Sequence, residues 1–267
     1  MVTDQPHKSV VFDRAATFYD QTRGFPPGID QQAADLMARL GGLTHSSVVA
    51  EIGVGTGRLA LPLARHSGPY LGFDLSADMM SVLRQKHAVF GAPDIRLARA
   101  DVTQLPLRSN VLDAAVLVHI LHLVSDPERA ASELRRTVKP AGVAIVGWNR
   151  SYEHGLEAIS DAWEAATGEQ WRRWRKGEDN RDTSAVVLEQ NGWTETASGV
   201  LEFTTTLTPR AKLERYRGRI FSSMWRMDDA AWQAGVAAVE AVVAAQYTDL
   251  DQPFEVSHAF HVVVLRP

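Results

Sequence analysis

The chain has 267 residues, 45% of them hydrophobic, which is enough for a sizeable core. It has no cysteine, which excludes a disulfide framework, a thiol nucleophile and a cysteine-bound zinc. The net charge of −4 opposes non-specific attraction to nucleic acid, and a polar N-terminus without a long apolar run makes the cytoplasm the expected compartment.

In chain order, the first strong signal is Val48-Val49-Ala50-Glu51-Ile52-Gly53-Val54-Gly55-Thr56-Gly57-Arg58. A β-branched run passes through an acid into glycines at alternate positions, and apolar residues at helical spacing follow. This predicts a buried strand, a tight turn and a helix over about Gly57 to His66. Glycine admits positive φ and lets a ligand approach the bare backbone. A dinucleotide turn reads Gly-x-Gly-x-x-Gly, but here the last glycine comes one position early, and Arg58 stands in its place. Glu51 is expected to face the incoming ligand. That suits a cation rather than a pyrophosphate, because like charges repel.

Tyr70-Leu71-Gly72-Phe73-Asp74-Leu75 reads as a second strand ending in an acid, and Ile95 to Asp101 as a third. A carboxylate at such a strand end can accept hydrogen bonds from both hydroxyls of a ribose. For Asp74 and Asp101 the competing reading is a helix N-cap. Val111 to Val118 and Val143 to Trp148 read as a fourth and a fifth strand. Helical patterns run from Ala77 to Val89 and from Pro127 to Val138. Alternating strands and helices predict a doubly wound parallel sheet, with ligands at the carboxyl ends of its strands.

Beyond Trp148 the pattern changes. Residues 149–190 read as a charged, helical cap carrying Trp163, Trp171 and Trp174, with a basic run at Arg172, Arg173, Arg175 and Lys176. Residues 199–207 read as a sixth strand. Thr208 and Pro209 then cap and open a helix, another helix runs from about Asp229 to Gln246, and Phe254 to Leu265 reads as the last strand. No histidine pair has convincing metal-ligand spacing. His258 and His261, an odd number of residues apart on a strand, should face opposite sides.

The glycine turn, followed by acids at the ends of the second and third strands, resembles class I S-adenosylmethionine-dependent methyltransferases. The likeness is to the small-molecule branch, similar to the methyltransferases of ubiquinone and menaquinone biosynthesis. Phe12 to Asp20 looks like the N-terminal helix of that group, and Lys139-Pro140-Ala141-Gly142 is a mild departure from its Lys-Pro-Gly-Gly turn.

The resemblance implies a seven-stranded, mainly parallel sheet whose antiparallel last strand lies between the fifth and sixth. It implies a helical lid over 1–40, a cofactor-binding core over 41–148, a cap over 149–190, and final strands over 191–267 with a helical pair inserted at about 208–247. It implies that Gly53, Gly55 and Gly57 approach the methionyl part of S-adenosylmethionine, which Glu51 helps to orient. Asp74 would hold the ribose, Leu75 would cover the adenine, and Asp101 and Val102 would bind the adenine edge. Tyr19 would close over the cofactor or simply pack. His119, at the end of the fourth strand, would be a general base or a packing residue, and His122 is a weaker candidate.

The expected acceptor is a small apolar or aromatic molecule in an enclosed cavity beneath the cap. Methyltransferases that act on DNA bases carry an Asp/Asn-Pro-Pro-aromatic motif where this chain has His119-Ile120-Leu121-His122, which argues against a nucleic-acid acceptor. Two other readings stand: a protein that binds the cofactor without methylating, and an NAD(P)-dependent oxidoreductase.

Overall fold

A computed structural model describes residues 9, 11–13, 16, 18–90, 94–168 and 181–267. Its strands are β1 (Val49–Ile52), β2 (Tyr70–Asp74), β3 (Ile95–Arg99), β4 (Leu112–Val118), β5 (Val138–Glu153), β6 (Thr194–Leu207) and β7 (Phe254–Arg266). They form one seven-stranded sheet in the order β3-β2-β1-β4-β5-β7-β6. The β1–β2, β1–β4, β2–β3 and β4–β5 pairs are parallel, and the last strands are antiparallel. The first three strands extend one way from β1, and β4 and β5 extend the other. The switch point of the sheet therefore lies between β1 and β4, where ligands bind in such folds.

The helices are α1 (Tyr19–Arg23), α2 (Ile29–Gly41), α3 (Ala60–Leu63), α4 (Ala77–Phe90), α5 (Pro127–Thr137), α6 (Glu157–Thr167), α7 (Thr183–Gln190), α8 (Pro209–Arg217) and α9 (Asp229–Gln246). Several start where the sequence predicts. Asp126 caps α5 through the Arg129 N–H, with Pro127 in its first turn. Thr208 caps α8 through the Ala211 N–H, with Pro209 in its first turn.

Three elements differ from expectation. The helix after the glycines begins only at Ala60, because Gly57 has φ +78°, which a right-handed helix cannot include. Its Pro62 lacks an N–H, and the helix gives way to a 3-10 turn over Ala64–His66. Among the described residues, the N-terminal α-helix is α1, which shares Tyr19 and Asp20 with the expected Phe12–Asp20. It stops at Arg23, before Gly24 and Phe25 lead into two prolines, because a residue ahead of proline is pushed out of helical geometry. The fifth strand starts five residues early, at Val138. Lys139 to Gly142 forms a bulge within it, where the β4 pairing jumps from Leu112↔Val138 to Ala114↔Val143. A Cβ at Gly142 would meet the Asp113 carbonyl oxygen at 2.9 Å, so the turn keeps its glycine where the two backbones meet.

The chain divides into two units. One comprises residues 1–149, 181–201 and 260–267, and the other residues 150–180 and 202–259. The core of the first unit joins Ala50, Ile52, Ala115 and Leu117 of the central strands to Leu134 of α5 and Leu188 of α7. The 149–190 stretch is thus divided. α7 packs with the sheet, where the Ser184 hydroxyl accepts the Leu121 N–H at 3.2 Å. The second unit has its own core of Leu156, Ile159, Trp163, Leu213, Tyr216, Val239 and Val243. Trp163 is fully buried there, and a Cβ at Gly235 of α9 would lie 2.6 Å from its ring. Trp163 is therefore a core residue of that unit. Trp171, Trp174 and the basic run lie outside the described residues.

Candidate functional site

The glycine turn leaves the carboxyl end of β1 and is held from beneath by backbone bonds. The N–H groups of Gly53 and Val54 both donate to the Phe73 carbonyl, at 2.7 and 3.0 Å, and Gly57 N–H donates to Val54 at 3.0 Å. Gly53, Gly55 and Gly57 all have positive φ, at +70°, +54° and +78°. Space confirms the need for glycine at the two ends of the turn. A Cβ at Gly53 would lie 2.0 Å from Ile120 Cδ1, and one at Gly57 2.1 Å from Leu83 Cδ1.

Asp74 ends β2 beside this turn, half-buried. Its Oδ2 accepts the Gly55 N–H at 2.8 Å and its Oδ1 the Ser76 N–H at 2.8 Å. The N-cap reading fails for Asp74, because Ser76 fills that place: its hydroxyl oxygen accepts the Met79 N–H at 3.1 Å. Burial raises the Asp74 pKa above the ordinary carboxylate value, against the lowering effect of these backbone bonds. Leu75 follows, half-buried. Beyond β3, Asp101 Oδ1 accepts both the N–H and the hydroxyl of Thr103, at 2.9 and 2.8 Å. This is a side-chain turn rather than a helix cap. Val102 is buried in the core of the first unit.

Glu51 lies inside β1 and is only 4% exposed. Its Oε2 accepts the Tyr70 hydroxyl at 2.6 Å. Burial pushes its pKa up to about 7, while the Tyr70 bond and Arg58 pull the other way. The sign of the pH effect follows. Between pH 4.5 and 7 the folded protein holds a proton that the unfolded chain has released. The stability contribution is fully present below 4.5 and is lost as pH rises through about 7. Glu51→Gln keeps an acceptor for Tyr70 and removes the titration. It is expected to unfold at a higher temperature than wild type at pH 8, by the equivalent of about 2–3 kcal/mol, with the difference gone near pH 4. Melting curves across pH check this, and a constant difference would place the titrating group elsewhere.

On the other side of the switch point, His119 follows β4 with φ +56°, strained for a residue with a side chain. Its Nε2 accepts the Asn149 backbone N–H at 2.9 Å. The neutral ring then carries its proton on Nδ1, and its basic lone pair is the one on Nε2, so the general-base reading needs release of the Asn149 N–H. His122 is exposed on the 3-10 turn Leu121–Leu123. Tyr19 packs edge-on to Phe12, with Arg23 over its ring. Trp148 stacks on His261, whereas His258 stacks on Phe203. Among the described residues, no group of three acid or histidine side chains is placed to hold a metal ion.

Sequence reasoning missed three participants. Tyr70 was read only as strand, yet it partners Glu51. Asn149, read only as a boundary, has a buried Oδ1 without a partner, at the carboxyl side of β5 and next to His119. Asp20 bonds the glycine turn through Thr56. Each pairing joins residues remote in sequence, and no local pattern signals it.

The residues brought together (three bare glycines, a half-buried carboxylate at the end of β2, an acid beyond β3) fit a cationic nucleoside cofactor. Residues 50–146 match a family described as a methyltransferase domain. The 2-phytyl-1,4-naphtoquinone methyltransferase of Trichormus variabilis (strain ATCC 29413 / PCC 7937) is 33% identical over 146 residues, covering 52% of this chain and 64% of that protein. The chain spans between 48% and 64% of the length of the first curated relatives it matches. Among solved structures, the [4+2]-cyclase SpnF superposes with a TM-score of 0.55 at 17% identity, over 97% of each chain. A phosphoethanolamine N-methyltransferase 2 of Haemonchus contortus, solved with S-adenosylhomocysteine, superposes with a TM-score of 0.52 at 18% identity, over 95% of this chain and 57% of that one.

Proposed function

We propose that the chain is a class I methyltransferase that transfers a methyl group from S-adenosylmethionine to a small, apolar or aromatic acceptor, a reading supported by the methyltransferase-domain match over residues 50–146. The observation that carries the reading is the placement of the glycine turn, Asp74 and Asp101 at the carboxyl ends of β1, β2 and β3, beside the switch point. The aromatic acceptor class is favoured by the naphthoquinone relative. The net charge of −4 argues against a nucleic-acid acceptor. The expected setting is the cytoplasm, and among the described residues no helix is long and apolar enough to cross a membrane.

In this reading the backbone of Gly53, Gly55 and Gly57 receives the methionyl end, which Glu51 orients from within β1. Asp74 accepts the two ribose hydroxyls, giving up its Gly55 bond or sharing it. Leu75 covers the adenine, and Asp101 and the Val102 N–H meet its edge. Tyr19 and His119 flank the bound molecule. Bound there, the sulfonium cofactor supplies an electrophilic methyl group. The chain's own work is then to align the acceptor for in-line attack, exclude water and take a proton where the acceptor has one to lose. His119 borders the acceptor side and holds the end of β5 through Asn149. Orientation is its first role, and proton acceptance at Nε2, once the Asn149 N–H is released, its second.

Calorimetry with S-adenosylmethionine, S-adenosylhomocysteine and NAD(P)H tests the cofactor. Micromolar binding of the sulfonium pair and none of the nicotinamide is expected, and the reverse would sink the assignment. Mass spectrometry of reactions with 1,4-naphthohydroquinones tests the transfer. The alternative reading is a protein that binds the cofactor without methylating. Tight cofactor retention with no methylated product across a broad acceptor panel would favour that non-methylating role.

A further inference from the structure

Asp20 lies on α1, outside every recognisable motif, yet its carboxylate reaches the centre of the glycine turn. Its Oδ1 accepts the Thr56 hydroxyl proton at 2.6 Å, and its Oδ2 pairs with the Lys86 ammonium from α4. Lys86 Nζ also donates to the Thr56 carbonyl oxygen at 3.0 Å, so the three residues close a ring of contacts. Thr56 itself is buried.

Two further ties run between the same segments. Arg58, just past the turn, donates from Nη1 to the Arg23 carbonyl at 2.5 Å and lays its guanidinium 4.7 Å from the Phe25 ring centroid. The Ser76 hydroxyl, next to Asp74, donates to Asp13 Oδ1 at 2.5 Å. The three tie points (Thr56, Arg58 and Ser76) all belong to the turn or border Asp74. Glycines give a turn little side chain to hold it by, so residues outside it must fix its shape. The bonds are charge-assisted but partly exposed to water, strong enough to hold and weak enough to open.

We propose that Asp20 is a positioning residue for the bound cofactor: through Thr56 and Lys86 it straps the N-terminal segment to the glycine turn, and the strap opens for exchange. The inference rests on the cofactor reading above and adds to it the group that sets the residence time. Stopped-flow fluorescence with S-adenosylhomocysteine reads the dissociation rate. Asp20→Ala is expected to raise that rate about tenfold, as loss of a charge-assisted pair predicts. Asp20→Asn keeps an acceptor for Thr56 and loses the ion pair, so it should fall between the two. Asp20→Ala made on top of Lys86→Met should add little, because the partners act together. Trypsin cleavage after Arg23 in the unliganded protein should also be faster in Asp20→Ala. A dissociation rate within twofold of wild type in folded Asp20→Ala and Asp20→Asn overturns the inference alone. Failure of the wild type to bind S-adenosylhomocysteine overturns the cofactor reading, and this inference with it.

Discussion

Gly57→Val is expected to destabilise the first unit by about 3–5 kcal/mol and to abolish cofactor binding. Two costs add. A β-branched residue at φ +78° is forced into the left-handed region, which L-residues avoid because Cβ crowds the following carbonyl. The new Cβ would also lie 2.1 Å from Leu83 Cδ1, so the fully buried Leu83 side chain of α4 would have to shift. Urea unfolding followed by circular dichroism checks the size of the loss. Adding Leu83→Ala should return only part of it, since the cavity relieves the clash but not the backbone strain. A Gly57→Val protein within about 1 kcal/mol of wild type would mean that the turn does not have this shape.

Asp74→Ala is expected to weaken S-adenosylhomocysteine binding ten- to hundredfold while the sheet survives. Hydrogen bonds to a charged acceptor contribute about 1.5–3 kcal/mol each, and water returns part of that when the acceptor is removed. The substitution also leaves the N–H groups of Gly55 and Ser76, both buried residues, without that acceptor, a folding cost of about 1–3 kcal/mol each. Ser76 keeps its cap on α4, so the helix start is preserved. Asp74→Asn should lose less, because one oxygen remains to accept. Calorimetry on both variants, beside a thermal melt, separates binding from folding. Unchanged affinity in folded Asp74→Ala would move the ribose site away from the end of β2.

The glycine turn was legible because its signal is local. Positive φ at three alternate positions can be met cheaply only by glycine, so the requirement is written in the residues themselves. The strands were legible for a similar reason, since central parallel strands are buried on both faces and become nearly continuous apolar runs. The position of the last strand between β5 and β6 came from the resemblance rather than from periodicity, and the sheet order agrees with it.

Element ends were less legible, because they depend on what lies opposite. β5 runs back to Val138 through a proline and a glycine since β4 offers a partner at Leu112. Apolar spacing predicts a longer helix after Gly57 than the one that forms, because a positive-φ residue cannot join a right-handed helix. The sequence places Glu51 as the acid near the end of β1 but carries no sign of its Tyr70 partner, which the neighbouring strand supplies.

By itself, then, the sequence determined the sheet class, the glycine cradle and the acids that follow the second and third strands. Each depends on backbone geometry or burial repeated over a few consecutive residues. The tertiary structure alone decided that Asp20 holds Thr56, that His119 holds Asn149, and that Trp163 lies at the heart of a second core. Those pairings join residues far apart along the chain. A side chain carries no local mark of a partner that only folding brings within hydrogen-bond reach.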